Sequence, residues 1–252
     1  MVPSSISLDM AIKVASYLEV LDICVLGTCS RFWNEICNSD DIWEPLFKNR
    51  WPSSLQFLNS SSSSQVPPIS KWQFAFKTST QRWKDIYVET HKEASRRASS
   101  VIQLMGKLSQ TGAMEIRDYN RALEDLKSNN LSFEDVKCFL LKPQLDALVN
   151  MIGVLYCVFC LKVPVEDVTE TLVGGGVWER RICVKWWKLG RWSNGFRMRD
   201  EMHYRELSMG MLATNEGAEV LRVLRRGAVH EVFRIEIAML KSSSFWHCRA
   251  AM

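Results

Sequence analysis

No apolar run in this chain reaches the roughly 18 residues that a membrane-spanning helix needs. The longest, LVNMIGVLYCVFCL from Leu148 to Leu161, therefore reads as a buried core segment, and no membrane association is expected. Charge of one sign is also scarce. Lys and Arg total 32 against 28 Asp and Glu, a net charge of +4, and the two signs are interspersed. Readers of nucleic acid usually gather basic residues on one face, so this balance does not demand such a partner. Histidine is rare, with four residues, His91, His203, His230 and His247, scattered along the chain. There is no HExxH pair, no GxSxG elbow, and no Lys-Ser/Thr after the glycines of GGGVW at 174–178 to make a phosphate loop. With no nucleophile–base pair and no metal constellation, an enzyme is not expected, and neither is a cofactor or a metal. A repeat of fixed period is missing as well, which excludes kelch, leucine-rich and propeller architectures. The opening MVPSSISLDMAIKVASYL lacks a basic stretch ahead of an apolar one, so no secretory signal is expected. The eight cysteines are accordingly expected to be free thiols in a reducing compartment, nucleus or cytosol. Most lie in apolar runs, where a thiol acts as a small hydrophobe.

What is present is enough for a packed core: 47% hydrophobic and 24% charged residues in a chain of 252, a length that suits one large or two small domains. Residues 6–47 read as a compact helical unit. Leu8, Ala11, Ile12, Ala15 and Leu18 share one helical face, and Met10, Val14 and Tyr17 make a second apolar stripe. Ser7 or Asp9 is expected to cap this helix. EVLD (19–22) reads as a turn, with Asp22 capping the next helix. Ser30 opens a third that turns Phe32, Trp33, Ile36 and Cys37 inward. Asp40 or Asp41 caps a last turn carrying Ile42, Trp43, Leu46 and Phe47. Pro52 to Ser70, PSSLQFLNSSSSSQVPPIS, reads as a loop or linker, with local packing possible through Leu55, Phe57 and Leu58.

Beyond it, helices are expected around 71–105, over DYNRALEDLKSNN, from Ser132 with a capping box to Asp135, and after Pro164, with Pro143 interrupting the long apolar run. Past the glycines at 174–176 the period changes from helical to two. Arg181, Cys183 and Lys185 alternate with Ile182, Val184 and Trp186. Asn194-Gly195 supplies a hairpin turn, and a short helix ending at Gly227 separates the last two strands. The fold class is α+β: residues 1–50 a helical module, 51–70 a linker, 71–240 an α+β domain ending in an antiparallel sheet, and 241–252 a tail.

Two motifs carry alternative readings. Cys157 and Cys160 form a CxxC, but the nearest further thiols, Cys138 and Cys183, are unpaired, so core packing is preferred over zinc. KWWKLGRW mixes basic and aromatic residues as single-strand nucleic-acid platforms do. On a strand, though, Trp186 and Trp187 face opposite ways, one into the core and the other outward.

Over its first fifty residues the sequence resembles the F-box family. The matching features are Ile6-Ser7, Tyr17-Leu18, Asp22-Ile23, CSRFW ending at Trp33, and DDIW ending at Trp43. Ser7 stands where the family usually has proline. The resemblance implies docking on a Skp-type adaptor and, through it, a cullin, with the rest of the chain holding a protein substrate for ubiquitin transfer. It makes Ile6, Ser7, Leu8, Ile12, Leu18, Leu26, Trp33 and Trp43 the candidate adaptor contacts, some of them being internal packing instead. A unit of some forty residues is near the lower limit for folding alone, which fits borrowed cover. The stretch from WKDIY to RIEI resembles, more weakly, the C-terminal part of certain plant F-box proteins without a named recognition repeat. The alternatives are a nucleic-acid-binding or scaffold protein whose N-terminal helices merely resemble the motif, and a helical subdomain packed on its own C-terminal region.

Overall fold

The computed structural model describes residues 6–52, 82–109, 113–227 and 231–240. The linker expected over 51–70 lies outside the described residues from residue 53 onward, as do Leu55, Phe57, Leu58 and the tail at 241–252. The chain is α+β and divides into two compact units, Met1–Glu93 and Ala94–Met252.

The first unit holds four short helices: α1 (Leu8–Ala15), α2 (Val20–Cys29), α3 (Arg31–Cys37) and α4 (Asp40–Arg50). Hydroxyl caps start three of them. Ser7 Oγ accepts from the Met10 N–H at 3.4 Å, Ser30 Oγ from Trp33 at 3.3 Å and Ser39 Oγ from Asp41 at 3.2 Å, which satisfies amides that a helix start leaves free. Two expectations are corrected. The cap of α4 is Ser39 rather than Asp40 or Asp41, which occupy its first turn and favour the positive end of the helix dipole. The turn after α1 covers residues 16–18, and α2 begins at Val20 with no side-chain cap, so Asp22 sits inside its first turn.

Ala11, Ala15, Ile23, Ile36, Cys37, Ile42, Trp43, Phe47 and Trp51 fill the core of this unit. Its far wall comes from the opening turns of α5 (Trp83–Ser109), through Ile86 and Tyr87 with Trp83 beside them. The aromatic rings meet edge-on or tilted, Trp43 to Tyr87 at 5.1 Å and Trp51 to Tyr87 at 5.0 Å between centroids, the arrangement ring quadrupoles favour. Trp43 Nε1 donates to the Cys37 carbonyl at 2.7 Å. Phe32 does not turn inward as expected: it is 41% exposed, because seven residues of α3 bury only the stripe holding Ile36 and Cys37.

The second unit follows along α5 with β1 (Ala113–Glu115), α6 (Ile116–Ser128), α7 (Phe133–Phe139) and α8 (Ala147–Tyr156). A π-helical turn, Cys157–Leu161, extends α8, and α9 (Val165–Gly174) comes next. The β-rich part contains β2 (Arg181–Lys188), β3 (Trp192–Ser193), β4 (Phe196–Arg197), β5 (Glu201–Ser208) and β6 (Val232–Met239), with α10 (Met209–Ala213) and α11 (Ala218–Arg226) between the last two. The sheet order is β1-β6-β2-β5, antiparallel throughout. β1 had no signal in the sequence: three residues are too few to show a period. The Asn194-Gly195 turn joins β3 to β4 with φ of 51° and 82°, as a two-residue hairpin requires.

All ten residues of α8 are buried, so it is the axis of the unit and not an amphipathic helix. Its one strongly polar side chain, Asn150, is fully buried and organises the turn that Pro143 makes. Asn150 Nδ2 donates to the carbonyls of Leu140 (2.7 Å) and Lys142 (3.1 Å), and its Oδ1 accepts from Arg180 Nη1 at 2.7 Å. The same Arg180 nitrogen also reaches the carbonyls of Pro143 and Leu145. Gly210 is required by close approach, since a Cβ there would lie 2.4 Å from the Trp178 indole. As the alternation indicated, Ile182, Val184 and Trp186 of β2 are buried. Trp187 faces the other way, with the Arg234 guanidinium 4.9 Å above its ring.

Cys157 is fully buried, and burial pushes its thiol up to about 12; Cys160 is half-buried and raised by the same cause. Cys24 and Cys29, by contrast, are exposed on α2 and do not serve as small core hydrophobes.

Three outcomes follow. Asn150→Leu should cost about 3 kcal/mol, because it strands buried carbonyls and part of the Arg180 head; the urea midpoint of the second unit measures it. Trp43→Ala should cost about 3 to 5 kcal/mol, a large part of the stability of so small a unit, and hydrogen exchange of the α1–α4 amides should rise throughout. Because only a thiolate alkylates, iodoacetamide at pH 8 should modify Cys24 and Cys29 in the native chain and leave Cys157 untouched, as peptide mapping would show.

Candidate interaction surface

The four short helices cannot each bury every apolar face. α2 shows why. Its sequence VLDICVLGTC is apolar nearly all round, yet only Ile23 and Gly27 are buried. Leu21 and Val25 remain 76% and 64% exposed. α1 places Ala11 and Ala15 fully inside and leaves Leu8, Met10 and Val14 outside, with Tyr17 of the following turn 80% exposed. Thus the second stripe read from the sequence, Met10, Val14 and Tyr17, is on the surface. The small alanines let α1 lie close to its neighbours, and the large side chains are what is left over.

The eight candidate contacts fall into three groups. Ile6 and Leu8 are exposed, and Ser7 is the exposed cap of α1. Proline has no hydroxyl with which to make that bond, so Ser7 gives the helix start a fixed geometry by a different route. Ile12, Leu18, Leu26 and Trp33 are half-buried, packed against the rim of the core. Trp43 is 1% exposed and belongs to internal packing. Met10, Val14, Tyr17, Leu21, Val25 and Phe32 are exposed apolar residues absent from that set. For all of these but Phe32 of α3, the signal was the second helical stripe in α1 or the all-round apolar character of α2.

Between α2, α3 and the start of α5 lies a cleft of about 190 Å³ bounded by Ile23, Cys24, Gly27, Asn34, Trp43 and Lys84. It is below the size of most small-ligand pockets. In the second unit an open groove of about 740 Å³ runs between α7, the Pro143 turn and α9, with Glu134, Lys137, Lys142, Asp167 and Glu170 along it. Its walls carry both charge signs together with the apolar Phe133, Leu141 and Pro143. At the far end of the sheet the β3–β4 hairpin exposes Trp192 and Phe196, at 74% and 77%. Its neighbouring arginines are engaged: Arg191 with Glu231 at 2.8 Å and Arg197 with Asp200 at 3.0 Å. Among the described residues no group of three metal-ligating side chains occurs, and no described helix is long and apolar enough to cross a membrane.

Residues 8–49 match the family model described as F-box-like. That interval coincides with α1 to α4 and contains every exposed apolar residue of those helices. No curated protein and no solved structure matches the chain. Its N-terminal unit carries an F-box-like domain at residues 8–49.

Proposed function

We propose that this chain is a substrate-recognition subunit of a Skp–cullin–F-box ubiquitin ligase. It binds a Skp-type adaptor through α1–α3 and holds a protein target with its second unit, directing that target to degradation. F-box domains generally bind such an adaptor. The supporting observation is the apolar surface that the matched segment leaves open: Leu8, Met10, Val14, Tyr17, Leu21 and Val25. Exposed apolar surface concentrated in one small unit marks an interface, and partner helices laid along it would cover both α1 and α2. The chain itself performs no chemistry on this reading. It acts by raising the effective concentration of the target near the transfer site. The subunit works in the nucleus or cytosol, and its C-terminal part is of the kind found in certain plant F-box proteins without a named recognition repeat. The alternative, a nucleic-acid-binding or scaffold protein, has less behind it. Trp186 of the basic-aromatic strand is buried, and Arg191 and Arg197 are neutralised by carboxylates.

The test uses the exposed residues, because charging the half-buried Leu18 or Leu26 would also disturb the core. Val14→Asp with Leu21→Asp should leave the melting temperature unchanged and weaken binding to a purified Skp-type adaptor about 100-fold or more, since central apolar contacts contribute about 2 kcal/mol or more each. Isothermal titration reads the affinity. Undiminished binding by the folded double variant would refute the assignment of this surface.

A further inference from the structure

β5 forms one margin of the sheet, and the other margin, β1, is three residues long. β5 pairs with β2 over eight residues without a register shift, from Arg181↔Ser208 to Lys188↔Glu201. Among the described residues no strand lies on its outer side, so alternate backbone N–H and C=O groups point outward from a straight margin. Such margins are usually blunted by proline, by a bulge or by charges that repel a copy. EMHYRELS has no proline, and Met202 and Tyr204 are 51% and 56% exposed.

The charges on β5 attract a copy instead of repelling it. Two copies related by a twofold axis perpendicular to the sheet pair antiparallel, and residues of equal parity stand opposite each other. With His203 on the axis, Glu201 faces Arg205 of the second copy and Met202 faces its Tyr204, each pair occurring twice. Moving the axis to Met202 sets Arg199 against Arg205. Moving it to Tyr204 sets His203 against Arg205 and Met202 against Glu206. The His203 register alone among these joins opposite charges and apolar side chains together, the pairings that stabilise neighbouring strands. It also brings Asp200 opposite Glu206, but Asp200 precedes β5 and is held by the Gly190 N–H at 2.8 Å and by Arg197. Arg205 lies 3.7 Å from Glu219 with both side chains about half exposed. Such a pair is weak and leaves further guanidinium donors free to reach the second copy. Glu201 lies 3.3 Å from His203 of its own strand, and its charge also acts on Arg191.

We infer that the chain forms a twofold homodimer through β5, with His203 at the axis and the two sheets continuous. Light scattering behind size exclusion on the full chain should give twice the chain mass as concentration rises. Glu201→Arg and Arg205→Glu should each be monomeric, because each sets like charges opposite one another twice. Mixed together they should dimerise, since each then supplies the charge the other needs, and the E201R/R205E double variant should dimerise alone. Near-UV circular dichroism confirms the fold of each. Should a reversal unfold the chain, Glu201→Gln or Arg205→Gln takes its place, and each should raise the dissociation constant about tenfold. A parent that stays monomeric overturns the inference. So does a dimer indifferent to the single changes, or a failure of the two folded variants to pair when mixed.

Discussion

The aromatic cluster made by Trp43, Phe47, Trp51, Trp83 and Tyr87 holds the first unit together. Four helices of seven to eleven residues form no stable structure singly, because short helices depend on packing for their stability. The rings of α4 supply a large buried area in one place, and Tyr87 and Trp83 close it from the other side of the Ser-rich stretch. Phe47 stands 5.2 Å from Trp51 and 5.6 Å from Trp83. Arg50 fixes the rim, donating to the Tyr87 hydroxyl at 2.8 Å and stacking 4.6 Å over Trp51. Lys84 reaches Asn38 and lies 5.6 Å over Trp43. Since α4 and the start of α5 satisfy one another, α1 and α2 are left with only one covered side each.

The second unit solves a different problem. A helix buried on all sides needs cover from every direction, and α8 receives it from α6, α10, β2 and β6. The cost of placing a polar group at such a centre is offset only if every partner is present. Asn150 meets that condition, and in doing so it fixes the turn at Pro143 and the approach of Arg180 before β2. Tyr156 does the same at the other end, donating to the Leu131 carbonyl at 3.2 Å, and burial pushes its hydroxyl up to about 12. A single polar side chain thereby sets where α7 ends, where α8 begins and where the sheet starts.

These two modes of packing explain where the molecule can meet others. The second unit encloses its apolar helix; what it exposes is a groove carrying both charge signs, the hairpin, the margin of β5 and further apolar side chains such as Val173 and Phe233. The first unit cannot enclose its own, because its helices are too short to wrap each other. The family match spans α1 to α4, the helices that leave Leu8, Met10, Val14, Leu21 and Val25 uncovered.

Much of this was legible in the sequence. Periodicity located α1, α6 and β2; local chemistry located the Ser7 and Ser30 caps, the Ser132–Asp135 capping box, the Asn-Gly hairpin and the helix end at Gly227. These depend on neighbours within a few residues, and so a sequence states them directly. The second stripe of Met10, Val14 and Tyr17 was legible for the same reason. What the sequence left open was which of two large apolar residues faces inward. Trp43 and Phe32 looked alike as core candidates, yet one is enclosed and the other is not. That choice is made by Tyr87 and Trp83, dozens of residues away. β1, too, exists only because β6 offers it a partner. Sequence determined the elements and their caps because those are local contacts; tertiary structure decided burial and strand partnership because those depend on residues that only folding brings near.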